Sequence, residues 1–163
     1  MPVVLLPDSG SRYLSKFYDD KWMREFGFLS MEFGETTLSD LLIAKPDKVL
    51  YTAAIGDSIR KVVAVMHQHG ISQMPVVGKD GALVGLIEEV DLLNYMLDKH
   101  EHTQEEPIDS LVQNAGAVFP RETSLEEAMP SLKVGLALLV VESSRPVGIL
   151  TKIDVLDYVA GKI

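Results

Sequence analysis

The sequence predicts an α/β (α+β) fold: two β-α-β-β-α repeats packed with pseudo-twofold symmetry. Two observations carry this. The first is an echo. Residues 84–96, Val-Gly-Leu-Ile-Glu-Glu-Val-Asp-Leu-Leu-Asn-Tyr-Met, return at 147–159 as Val-Gly-Ile-Leu-Thr-Lys-Ile-Asp-Val-Leu-Asp-Tyr-Val, with Val, Gly, Asp, Leu and Tyr in register. A repeat spaced by roughly 60 residues marks two copies of one supersecondary unit. The second is the order of the patterns, which runs strand, helix, strand, strand, helix in each half. One unit buries too little apolar surface to stand alone, so the pair is expected to pack sheet against sheet and leave two related concave sites.

Taken in order, Val3-Val4-Leu5-Leu6 reads as a buried strand and Pro7-Asp8-Ser9-Gly10 as a turn. Ser11 to Phe26 has helical spacing, with Leu14, Phe17, Tyr18 and Trp22 on one face and Gly27 as a C-cap. A buried-type strand at the start, with no partner nearby, predicts further chain upstream. Residues 28–37 read as connector, and Ser39 as the cap of a short helix carrying Leu41, Leu42 and Ile43. In the first repeat, Val49 to Thr52 is a strand, and Asp57 caps a helix with an Ile59, Val62, Val63, Met66 stripe that Gly70 ends. Met74 to Val77 and Ala82 to Ile87 are strands joined by Gly78-Lys79-Asp80-Gly81, and a helix over 90–97 closes the unit. Residues 98–106 are a polar, solvated connector, and Pro107 opens a short helical piece with Ile108, Leu111 and Val112. The second repeat follows: a strand at Ala117 to Phe119, and a Thr123–Glu126 capping box ahead of a Leu125, Ala128, Met129, Leu132 stripe that Pro130 should kink or shorten. The hairpin strands Leu136 to Val141 and Val147 to Leu150 turn through Glu142-Ser143-Ser144-Arg145, and a final helix ends near Gly161.

Composition narrows the function. The 163 residues fit one ordinary domain or two small halves, and 47% hydrophobic content supports a real core. A formal charge of −9 with no basic cluster argues against nucleic acid and anionic membrane surfaces. Without cysteine there is no disulfide framework, zinc–thiolate site or thiol nucleophile. No apolar run approaches the ~20 residues of a membrane span, and Met1 to Leu6 lacks the charged start of a signal peptide. A cytoplasmic setting is the expectation. His67 and His69 point apart on a helix, and His100 and His102 lie in the polar connector, so surface histidines are expected rather than a metal site. Met66, Met96 and Met129 are expected in the core.

The stretch that could carry chemistry is Thr151 to Asp154. On one reading Thr151 merely caps the last helix, with Asp154 near the positive end of its dipole. On the other, the free N–H groups at that helix start receive a phosphate, and the carboxylate one turn in takes both hydroxyls of a ribose.

Gly148-x-x-Thr151-x-x-Asp154 closing the second copy of a duplicated unit resembles a tandem CBS-domain pair, or Bateman module, over about residues 38–161. Such a resemblance implies a module that binds an adenosine-containing ligand and regulates an attached domain. The first 30 residues, through Pro7-Asp8-Ser9, Arg12-Tyr13, Lys16-Phe17 and Trp22-Met23, resemble the last strand and helix of the catalytic domain in the cystathionine β-synthase family. That family uses pyridoxal phosphate to join serine to homocysteine. The chain then reads as 1–30, the end of a catalytic domain; 31–45, a linker; 46–100, the first repeat; and 107–161, the second. It carries no catalytic residue or cofactor of its own, with the pyridoxal-phosphate lysine upstream.

Carried over by residue, the resemblance implies one site of Thr151, Ile153 and Asp154 with Ile71, Ser72, Gln73 and Met74. Asp154 holds ribose, Thr151 meets the 5′ substituent, and Ile71, Met74 and Ile149 sandwich adenine. Gln73 is a polar contact, and Pro46 to Val49 line the cleft. A pseudo-symmetric site uses Asp91 with Gly135, Leu136, Ala137 and Leu138. There Glu88 replaces the hydroxyl and repels phosphate, so that site is expected to be empty or to take a cationic ligand. Few basic residues lie near this site, Lys48 and Lys152 being the nearest by sequence, which favours S-adenosylmethionine over a triphosphate, with AMP or ATP as the other ligands the resemblance offers. A homodimer is implied. A structural dimerisation domain with degenerate sites is the other class, and a fragment with residual lyase activity is disfavoured because no cofactor lysine can be placed.

Overall fold

The computed structural model describes residues 35–45, 49–99, 103–134 and 137–161. The expected strand at 3–6, the helix at 11–26, and Pro46, Lys48, His100, His102, Gly135 and Leu136 lie outside them. Helix α1, Leu38–Ala44, comes first. The first repeat has β1 (Ala53–Ala54), α2 (Ile59–His69), β2 (Gln73–Val77), β3 (Leu83–Glu88) and α3 (Glu89–Lys99). The second has β4 (Val118–Pro120), α4 (Leu125–Val134), β5 (Ala137–Glu142), β6 (Arg145–Thr151) and α5 (Lys152–Ala160). Among the described residues these strands form two three-stranded sheets, ordered β1-β2-β3 and β4-β5-β6. In each, the first two strands are parallel across a helix and the last two form an antiparallel hairpin. Both hairpins slip register at the same place, Val76/Val77 and Val140/Val141. The duplication therefore extends to a backbone irregularity.

Several local expectations move. The first strand lies at Ala53–Ala54 rather than 49–52, because Ala53 and Ala54 pair with Val76 and Val77. Ser58, not Asp57, caps α2, its hydroxyl accepting from Lys61 N–H at 3.4 Å. Asp57 instead accepts from Ala54 N–H at 3.0 Å and Lys61 Nζ at 2.6 Å. The Thr123–Glu126 box is likewise displaced, since Ser124 Oγ accepts from Glu127 N–H at 3.2 Å. Helix α4 continues past Pro130 to Val134. The ring removes one hydrogen bond, while buried Met129 and Leu132 anchor the turns beside it. Gly70 ends α2 in the left-handed region, at φ 62°, where a Cβ would be strained.

The cores are exchanged. Leu38 and Leu41 of α1 are buried with Leu125, Leu132, Leu138, Leu150 and Val155, all from the second repeat. Ile108 and Leu111, from a 3₁₀ turn between α3 and β4, are buried with Ile59, Val62, Met74, Ile87 and Leu92 of the first repeat. Backbone bonds fix both transfers. Leu38 N–H donates to Thr123 O and Leu125 N–H to Thr36 O, each at 2.9 Å. Ile59 N–H donates to Glu106 O at 3.0 Å and Ile108 N–H to Asp57 O at 2.9 Å. In both cases the visiting segment pairs with the residue just before its host's first helix: Thr37 with Ser124, and Pro107 with Ser58.

Candidate functional site

The exchange brings the end of α1 to the strand β6 that leads into α5, and a cleft of about 370 Å³ opens there. Its walls are Val147, Gly148, Ile149 and Thr151 from β6, Gly70 to Gln73 at the start of β2, Val49 to Tyr51, and Leu42 and Lys45. Tyr51 is held by stacking on His69, with ring centroids 3.8 Å apart. Among the sequence-predicted residues, Val49, Ile71, Ser72, Gln73, Ile149 and Thr151 meet at this cleft. Met74 lies in the core beneath the sheet, and Ile153 is 46% exposed on α5 outside the lining. The side-chain oxygen of Gln73 is buried without a hydrogen-bond donor among the described residues. Such an acceptor is costly unless a donor arrives.

Asp154 faces a neighbouring cavity of about 360 Å³, lined also by Leu41, Ala44, Lys45, Asp157, Tyr158 and Gly161. Its Oδ2 accepts the Thr151 N–H and hydroxyl, both at 2.7 Å, and the Lys45 ammonium at 3.2 Å. Lys45 Nζ also donates to Ile149 O at 3.0 Å. Sequence spacing missed Lys45, 109 residues from Asp154. The available signal was its place immediately before Pro46, where the segment expected at the cleft begins.

At the pseudo-symmetric position, a cavity of about 510 Å³ brings Glu88 and Ala137 together with Gln73, Leu86, Gln113, Asn114 and Val134. Asp91 is outside that lining. The equivalence is explicit in the register: Glu88 pairs with Gln73 where Thr151 pairs with Ala137. Gln73 thus walls both cavities. No group of three or more potential metal ligands occurs among the described residues.

Comparison with known proteins agrees with the fold. The family model described as CBS domain matches residues 37–98 and 113–161. The chain is 34% identical over 102 residues to cystathionine beta-synthase of Mus musculus, covering 58% of this chain and 18% of that protein. It is 24% identical over 198 residues to cystathionine beta-synthase of Saccharomyces cerevisiae, covering 97% and 38%. The chain therefore spans less than two fifths of the length of these curated relatives. Among solved structures, a CBS domain-containing protein of unknown function from Bacillus anthracis aligns with TM-score 0.70 at 23% identity, over 81% of this chain and 98% of that one. The CBS domain pair of protein MJ0100, in complex with 5′-methylthioadenosine and S-adenosyl-L-methionine, aligns with TM-score 0.64 at 22% identity, over 80% and 100%. CBSX2 in complex with AMP aligns with TM-score 0.64 at 22% identity, over 78% and 98%.

Proposed function

The chain belongs to the CBS-domain family, and from that premise we propose that it is a regulatory module that binds an adenosyl ligand and controls an attached cystathionine β-synthase-type enzyme. The cleft between the repeats carries this reading. Ile71 and Ile149 offer apolar faces for adenine, and the buried Gln73 acceptor suits its amino group. Thr151 and the start of α5 face the 5′ substituent, and Asp154 takes the ribose hydroxyls once its present donors rearrange. The complexes of MJ0100 and CBSX2 support the adenosyl class. S-adenosylmethionine is the ligand favoured from the sequence. AMP is the second reading, and Lys45 favours it by bringing to the cleft a cation that sequence spacing did not place there.

The parent is a pyridoxal-phosphate enzyme in this proposal, with that chemistry supplied by a catalytic domain and none by these residues. The module works as a cytoplasmic homodimer, without nucleic-acid or membrane partners. No helix among the described residues is long and apolar enough to cross a membrane. Control is a population shift: the ligand favours one arrangement of the repeats only as far as it binds that arrangement more tightly. Helix α1 is the natural conductor, since its leucines sit in the second core and Lys45, beside its end, touches the cleft.

Calorimetric titration with S-adenosylmethionine, AMP and ATP tests the reading. Micromolar binding at one site per chain is expected, lost in a Thr151→Ala, Asp154→Ala double variant. Binding by none of the three would leave a structural dimerisation role, and normal binding by the double variant would overturn the site assignment.

A further inference from the structure

Lys45 lines both the ligand cleft and the cavity that holds Asp154, and its ammonium bonds Ile149 O of the cleft wall and Asp154 Oδ2. Thr151 lines the cleft and Asp154 the neighbouring cavity, and both Thr151 and Lys45 reach Asp154 Oδ2 from residues of the cleft wall. Two of the three donors on Asp154 Oδ2 are local helix capping. The same arrangement recurs at Thr37–Asp40, where the Thr37 N–H and hydroxyl reach Asp40 Oδ2 at 2.8 and 2.9 Å. Lys45 is the donor added from a distance.

The pair is largely shielded, with side chains 23% and 12% exposed. Water therefore screens it less than an exposed surface pair, and neither charge can be left there without a replacement partner. All three donors sit on Asp154 Oδ2, so a cis-diol that spans both carboxylate oxygens competes with the ammonium for Oδ2. The long lysine stem can follow, because Lys45 already borders the cleft. The displaced charge then needs an anion, and the ligand is the group that has just arrived.

We propose that Lys45 determines ligand specificity by exchanging partners: it neutralises Asp154 in the empty cleft and passes to the ligand's anionic group when the ribose takes Asp154. This rests on the adenosyl-binding reading above. It makes the cleft select adenosyl compounds that carry both a diol and an anion, and it discriminates against neutral nucleosides, which break the pair and return nothing to the lysine. A carboxylate, as in S-adenosylmethionine, and a phosphate, as in AMP, share the required chemistry.

The test is calorimetry on this chain, its Lys45→Met variant and its Lys45→Arg variant, each with adenosine, AMP and S-adenosylmethionine. The wild type should prefer an anionic ligand to adenosine by roughly tenfold or more, the range of one charge-assisted bond. Lys45→Met should abolish that preference, tightening adenosine while weakening the anionic ligand. Lys45→Arg, which keeps the charge and guards against a folding artefact, should retain it. Loss of the preference for AMP alone identifies phosphate as the anion, and for S-adenosylmethionine alone, the carboxylate. If Lys45→Met changes all three affinities by one common factor, or none, the exchange is overturned while the site stands. If the wild type binds none of the three, the adenosyl reading itself fails and the exchange falls with it.

Discussion

Gly85 and Gly148 occupy the same place in the two repeats, but a methyl group added at each should have very different consequences. At Gly85 a Cβ would run into the backbone carbonyl of Gln113 and come within 2.6 Å of Val112 Cγ1. That carbonyl belongs to a reciprocal pair, Leu86 N–H to Gln113 O at 2.9 Å and Gln113 N–H to Leu86 O at 2.8 Å, which pins the inter-repeat segment to β3. Backbone so tied cannot turn aside. Overpacking costs about 1–3 kcal/mol, and the two backbone bonds contribute about 1 kcal/mol each, so Gly85→Ala should destabilise by roughly 3–5 kcal/mol. At Gly148 the Cβ would meet the δ-methyl groups of Leu42, one of them at 3.0 Å. A leucine end at the cleft margin can change rotamer, so Gly148→Ala should cost about 1 kcal/mol. Urea unfolding at fixed temperature measures both, with the difference read from the midpoints if the slopes agree. A Gly85→Ala chain within about 0.5 kcal/mol of wild type, or Gly148→Ala as the more damaging change, would refute this account of the inter-repeat contact.

The exchanged cores make a paired prediction. Leu41→Ala and Ile108→Ala should each cost about 2–4 kcal/mol, and amide hydrogen exchange should locate the early loss of protection in the second repeat for Leu41→Ala and in the first for Ile108→Ala. The acid limb offers another. Burial pushes the Asp57 carboxyl up, but the bonds from Lys61 and Ala54, with the Lys61 charge, outweigh it and hold it below 3.8. Its contribution is therefore present above that ordinary value and lost as pH falls through the lower folded one. Asp57→Asn should lower stability at neutral pH, converge on wild type at the acid end, and so flatten the profile between them, whereas an unaltered acid slope would exclude Asp57 as a source of it.

The duplicated pattern was legible because hydrophobic period and turn residues are local properties. Helices, hairpins and their order follow from stripes such as Ile59, Val62 and Met66, which face one core. Misplacements arose where neighbouring residues offered the same chemistry. Asp57 and Ser58, or Thr123 and Ser124, can each cap a helix, and only the realised hydrogen bonds choose between them. Val49 to Tyr51 resembled a strand by propensity, but these residues line the cleft, and the less strand-prone Ala53–Ala54 pairs with β2. Which sheet a helix covers is a long-range matter. No spacing within Leu38 to Leu41 says that they belong with Leu150 and Val155. Lys45 was missed for the same reason, since its partners are made neighbours only by the placement of α1.

The crossed placement of α1 and the 3₁₀ turn also sets an order of events during synthesis. The first repeat can complete its core soon after residue 111 emerges, because Ile108 and Leu111 are its last buried members. Helix α1 is made earlier but waits much longer, since its companions run from Leu125 to Val159. At roughly 5–20 residues per second, the leucines of α1 remain uncovered for something on the order of ten seconds. Through that interval the segment leading to the cleft is an apolar, unpartnered stretch beside a nearly finished repeat. The last turn of α5 is what gives the much earlier helix α1 its place.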